Sequence, residues 1–202
     1  MIAIVDYSAG NIRSVELGFA RVEAESVVTC DPEIIAAAEA VVLPGVGAFG
    51  DAMRALRERE LDKAIYMAVN AGKPFLGICL GMQALFDGSE EGPGVEGLGI
   101  IPGVVKRFAG HGLKIPHMGW NSLEVVKQSA LLTGMPAVPY VYFVHSYACH
   151  AKNADDVLTS TEYGISFNSS VQRGNVIGMQ FHPEKSGKHG QVILENFVGG
   201  RI

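Results

Sequence analysis

Cysteine is scarce in this chain. Three cysteines among 202 residues, an odd number and widely spaced, make neither a disulfide framework nor a metal-ligand set. A reducing compartment, the cytoplasm, is the expectation that follows. Basic runs are missing too: 16 Lys and Arg stand against 21 acids, for a formal net charge of −5. Nucleic acid and anionic membranes are therefore poor partners. No apolar run reaches the length that spans a bilayer. Met1–Asp6 lacks a basic leader and Asp6 interrupts its apolar run, so it reads as a strand rather than a signal peptide. Repeats, low-complexity segments and linkers are absent as well. One domain over residues 1–202 is expected, long enough to bury a substantial core.

The first half alternates two kinds of segment. Ile2–Val5, Ser26–Thr29, Ala40–Leu43 and the short apolar run that leads from Lys73 into the Gly77–Gly81 turn read as strands. Continuous apolar runs of this kind suit strands buried on both faces. Helical patterns fall between them: from Gly10-Asn11 through Val15, Phe19 and Val22, from Asp31-Pro32-Glu33, and over Ala48–Ala71 with a break near Glu60. Asp31 has the character of an N-cap with Pro at the first helical position. This rhythm predicts an α/β fold: an open, mostly parallel but mixed sheet with helices on both faces. The second half is β-rich. Asp87–Gly99 reads as an exposed loop. Strands are expected at Val104–Phe108, Ser122–Val126, Pro139–Val144, Val157–Thr161, Ile165–Val171 and Val176–Phe181, with a tight hairpin turn at Gly174-Asn175. A last helix over about Gly190–Val198 covers the sheet.

The chemistry concentrates in Gly77-Ile78-Cys79-Leu80-Gly81-Met82-Gln83. Strand, sharp turn and helix meet there with Gly at −2 and +2, the cysteine form of a nucleophile elbow. A cysteine at the tip lies over the first amides of a helix, which favours thiolate over thiol. Pro44-Gly45-Val46-Gly47-Ala48-Phe49 ends the third strand. The amides of Val46 and Gly47 suit one half of an oxyanion hole, and the amide of Leu80 suits the other. Gly178-Met179-Gln180-Phe181-His182-Pro183-Glu184 reads as a strand running out through His-Pro-Glu. In extended chain Glu184 faces the same way as His182 and holds its tautomer. Cys79, His182 and Glu184 are thus the parts of a nucleophilic triad. Tyr142–Tyr147 is a strand with a polar end that suits a pocket wall. His111, His117, His150 and His189 are read as surface or structural. Cys30 and Cys149 are read as buried structural thiols.

Taken together, Gly-x-Cys-x-Gly-x-Gln and His182-Pro183-Glu184 resemble the class I, triad-type glutamine amidotransferases. Further blocks resemble one branch of them, the glutaminase subunits of imidazole glycerol phosphate synthase. They are Asp6-Tyr7 with Gly10-Asn11, Pro44–Phe49, Pro116–Asn121, Tyr142–Tyr147, Tyr163-Gly164 and Glu184-Lys185-Ser186. Ser8 stands where that family commonly has Gly, and Cys149-His150 depart from it too.

The resemblance implies hydrolysis of L-glutamine to glutamate and ammonia through a cysteine thioester. It implies substrate contacts from Gln83 and the backbone of His145, Ser146 and Tyr147. No metal and no organic cofactor is expected. The implied partner is a (β/α)8-barrel cyclase subunit, in a heterodimer, that uses the ammonia to make imidazole glycerol phosphate and AICAR in histidine biosynthesis. Asn11, Trp120, Tyr142 and Lys185 would face it. The rival readings are another glutaminase (pyridoxal phosphate synthase, anthranilate or GMP type), a cysteine hydrolase on a similar fold, and a non-enzymatic subunit. Pro116–Asn121 and Lys185-Ser186 weigh against the first, and Gln83 with His-Pro-Glu against the second. The intact triad weighs against the third.

Overall fold

A computed structural model describes residues 1–8, 10–108 and 112–202. In chain order the elements are β1 (Ile2–Val5), α1 (Ile12–Arg21), β2 (Ser26–Thr29), α2 (Pro32–Ala37), β3 (Ala40–Leu43), α3 (Phe49–Glu58) and α4 (Leu61–Asn70). The centre holds β4 (Phe75–Ile78), α5 (Leu80–Ala84), β5 (Gly88–Ser89), β6 (Gly103–Arg107), β7 (His117–Ser122) and β8 (Glu124–Val125). The rest is β9 (Tyr140–His145), β10 (Tyr147–Ala151), β11 (Val157–Glu162), β12 (Ser166–Arg173), β13 (Val176–Met179) and α6 (Gly187–Val198).

The main sheet runs in the order β2-β1-β3-β4-β13-β12-β10-β6-β5, with β11 and β8 added beside β12. Strands β2, β1, β3, β4 and β13 pair in parallel, and β12 turns antiparallel. The fold is therefore the open, mixed α/β sheet expected. Every residue of β1, β3, β4 and β13 is buried, because helices cover both faces of these strands. Alternation along β1 divides two cores. Ala3 and Val5 join Ile35 of α2, Leu56 of α3 and Ile65 of α4. Ile2 and Ile4 join Val15 and Phe19 of α1 and Ile193 and Phe197 of α6.

Local signals fixed the helix ends. Asp31 accepts a bond from the Glu33 amide at 2.8 Å, the cap expected of it. Glu60, at φ +57°, separates α3 from α4. Ser8 holds φ +72°, the region where glycine is unstrained. Its amide bonds Asp6 Oδ1 and its hydroxyl takes a bond from Arg59, each at 2.8 Å.

The β-rich half departs from the expectation in three places. Ser122–Val126 is not one strand: Leu123 interrupts it, dividing its residues between β7 and β8. Strand β7 begins at His117 and pairs with β9 in a separate two-stranded sheet. Strand β10 was not anticipated, and the 87–99 loop contains the short β5 and a buried Leu98. The Gly174-Asn175 turn does join β12 to β13. No helix among the described residues is long and apolar enough to cross a membrane.

Candidate active site

Cys79 sits between β4 and α5 with φ +55° and ψ −109°, a backbone region that L side chains avoid. The flanking glycines permit the turn. A Cβ at Gly81 would overlap the Leu43 carbonyl, and one at Gly77 would press on the Gly81 carbonyl. Strand β13 lies beside β4 in parallel, so the chain leaving its carboxyl end delivers His182 next to the elbow. This is the end of an open sheet where ligands gather.

His182 and Glu184 are both buried, and His182 Nδ1 lies 2.8 Å from Glu184 Oε1. The pairing is as expected but its cause differs. Pro183–Lys185 is a turn of 3-10 helix, not extended chain, and the turn brings Glu184 back under the ring. The other ring nitrogen, Nε2, is buried and makes no hydrogen bond at normal geometry. Burial opposes the charged ring, but the Cys79 sulfur beside it and the hydrogen-bonded Glu184 carboxylate outweigh it and raise the His182 pKa to about 9. The arrangement favours a protonated His182 ring beside the Cys79 sulfur.

A cavity of about 320 Å³ opens over this group. Cys79, His182, Val46, Gly47 and Leu80 line it, as do Gln83, His145, Ser146 and Tyr147. Sequence reasoning had assigned each of these to catalysis, the oxyanion or the substrate. Val144 lines it too, within the Tyr142–Tyr147 strand read as a pocket wall; Glu91 and Pro116 also line it and were not assigned to the site, since no local pattern marks them.

One other expectation needs correction. Cys30 is exposed, not buried, while Cys149 is fully buried. Cys30 follows β2 at the sheet edge, where nothing covers it. Of the histidines read as surface or structural, His117 is structural: its Nδ1 lies 3.0 Å from His145 Nε2 inside an aromatic cluster. Burial lowers the pKa of His117 to about 4 and that of His145 to about 3. Both rings are neutral at physiological pH. His111 lies outside the described residues.

The residues expected at a partner surface also have places. Trp120 lies opposite Tyr142 across β7 and β9, ring centroids 6.3 Å apart, and Lys185 is exposed nearby. Met118, Trp120 and Tyr140, on the same ribbon, are 62%, 57% and 51% exposed. Asn11 shares a narrow crevice with Val46, His182 and Glu184.

The family model for class I glutamine amidotransferases matches residues 3–199. The chain belongs to that family. Within it, the chain is 51% identical over 204 residues to imidazole glycerol phosphate synthase subunit HisH of Salinibacter ruber, covering 98% of this chain and 94% of that one. It is 50% identical to the HisH subunit of Methanothermobacter thermautotrophicus and 47% identical to that of Oceanobacillus iheyensis, covering 98% of both chains in each case. Among solved structures, a glutamine amidotransferase superposes with TM-score 0.77 at 20% identity, over 98% of this chain and all of that one. PurLQS from Thermotoga maritima gives TM-score 0.77 at 20% identity, over 98% and 97%. The structural likeness carries the fold, and the HisH relatives carry the branch of the family.

Proposed function

We propose that this chain hydrolyses L-glutamine at Cys79 and hands the ammonia to a cyclase subunit of imidazole glycerol phosphate synthase. The observation that carries the reading is the buried Cys79–His182–Glu184 group under one cavity, on a chain of the HisH branch. The Cys79 thiolate attacks the side-chain amide carbon of glutamine. The amides of Leu80 and of Val46–Gly47 hold the oxyanion. His182 gives its proton to the departing nitrogen, which leaves as ammonia, and a thioester remains. Neutral His182 then takes a proton from water, whose oxygen cleaves the thioester to glutamate and returns Cys79. Glu184 keeps the ring oriented. The Gln83 amide nitrogen is engaged by Tyr147 O and Gln180 Oε1 at 3.4 and 3.2 Å, which leaves its oxygen for the α-ammonium of the substrate.

Ammonia released into water becomes ammonium, which is not a nucleophile, so the product calls for a covered exit. The exposed Met118, Trp120 and Tyr140 form an apolar face next to the site, of the kind that marks a docking surface. Lys185 and Asn11 complete the surface we assign to the cyclase.

The isolated chain is proposed to be a weak glutaminase that the partner activates. Val46–Gly47 is the hinge. Gly47 has φ +98° and open space around its Cβ position, and Val46 is exposed. Gly45 is packed tightly against Tyr7 and Leu80, so the peptide beyond it can turn from a fixed base. Loss of one oxyanion donor costs roughly 10²–10³ in turnover, enough for a switch. Steady-state glutamate release from the free chain, the complex, and the complex with cyclase ligand tests the reading. Rising rates across the three support it, and equal rates contradict the switch.

A further inference from the structure

We propose that Gln180 is a catalytic residue of this site: its side-chain amide donates a hydrogen bond to the Cys79 sulfur and stabilises the thiolate. The proposal rests on Cys79 being the nucleophile. Gln180 is fully buried and its Nε2 lies 3.7 Å from Cys79 Sγ, an ordinary length for a donor on sulfur. No role for it emerged from the motif that contains it.

The orientation of the amide decides the argument, because its oxygen would repel a thiolate. Neighbouring groups fix that orientation. Gln83 Nε2 faces the Tyr147 carbonyl at 3.4 Å, a pure acceptor that also takes a bond from His145 Nδ1 at 2.8 Å. Reversing Gln83 would set two oxygens against each other. Its nitrogen therefore also faces Gln180, and the Gln180 atom it meets, at 3.2 Å, must be the oxygen. Cys149 Sγ reaches the same oxygen at 3.8 Å. Burial pushes the Cys149 thiol well up, so it stays protonated and donates. Two donors hold Oε1, and Nε2 is left facing Cys79.

On its other side Cys79 Sγ lies 4.0 Å from the Val144 carbonyl, which suits a thiol and opposes a thiolate. The Gln180 donor offsets that carbonyl. It also links the nucleophile to Gln83 and Tyr147, which line the glutamine cavity, without itself lining that cavity. Cys149, a departure from the family pattern, acts here with Gln83 to keep the amide turned.

The test is the pH dependence of Cys79 alkylation by iodoacetamide in the full chain carrying Cys30→Ser, since Cys30 is exposed and would react. Cys149 is fully buried, and peptide mass spectrometry assigns the adduct. Gln180→Met removes the donor, and Gln180→Glu replaces it with a carboxylate oxygen while keeping the acceptor. Each is expected to raise the alkylation midpoint by about one pH unit and slow the neutral-pH rate about ten-fold. Cys149→Ala removes one of the two donors on Oε1, which loosens the amide, and is expected to move the midpoint the same way, by less, with Cys149→Ser restoring it. An unchanged midpoint in the folded Gln180 variants overturns the proposal. Should neither fold, judged by a cooperative thermal transition, an unchanged midpoint in Cys149→Ala overturns it. Alkylation reports the thiolate whether or not glutamine is hydrolysed, so failure of the glutaminase reading is seen separately.

Discussion

Replacing Cys79 with Gly is expected to give a protein no less stable than replacing it with Ala, against the usual order. Both variants lose the thiol, so its burial cancels in the comparison. Gly also gives up a buried methyl, about 0.8 kcal/mol, and loses more backbone freedom on folding, about 0.5–1 kcal/mol. With ordinary dihedrals Gly would therefore be worse by roughly 1.5 kcal/mol. At φ +55° and ψ −109°, however, Ala keeps the strain of a forbidden backbone, about 1–3 kcal/mol, and Gly does not. Taking about 2 kcal/mol for the strain, Gly comes out ahead by about 0.5 kcal/mol. In a chain of this length about 1 kcal/mol moves Tm by roughly 2–4 °C. Differential scanning calorimetry should then place the Gly variant about 1–2 °C above the Ala variant. A Gly variant lower by about 3–6 °C would refute the claim that the elbow stores strain at its nucleophile.

Glu184→Gln is expected to lower turnover by about 10²–10⁴ with little change in KM, because Glu184 holds His182 rather than substrate; steady-state kinetics of the complex check it. Trp120→Ala or Lys185→Ala is expected to weaken docking about ten-fold or more with the isolated fold retained, read by analytical ultracentrifugation of the mixed subunits. Stability should fall on both sides of neutral pH. His182 titrates above its ordinary 6.5, at about 9, so its contribution is complete below pH 6.5 and is lost as pH rises towards 9. His117 and His145 titrate near 4 and 3, so theirs is complete above 6.5 and is lost as pH falls through those values. Urea midpoints across pH check this, and Cys79→Ala should flatten the alkaline arm alone.

The central sheet was legible because β1, β3, β4 and β13 are buried on both faces and so carry unbroken apolar runs. The elbow was legible because Gly77 and Gly81 serve a steric need that is local to it. Strand β10 escaped: Tyr-Ala-Cys-His-Ala mixes buried and half-buried residues without a clear period. The burial of His117 depends on His145, 28 residues away, so no window around it could show the pair. The same holds for Gln180, whose partners Cys79, Gln83 and Cys149 lie 31 to 101 residues off in the chain. The His182–Glu184 pair was found through the right residues and the wrong backbone, since Pro183 starts a helical turn rather than continuing the strand.

Most direct of all is the reaction of the complex carrying Cys79→Ala, assayed for product with glutamine and, separately, with ammonium salt as nitrogen source. The account predicts that glutamine-dependent synthesis is abolished while ammonia-dependent synthesis continues near the rate of the unaltered complex. Glutamine-dependent synthesis that survives the substitution would contradict it, because Cys79 would then not be the nucleophile.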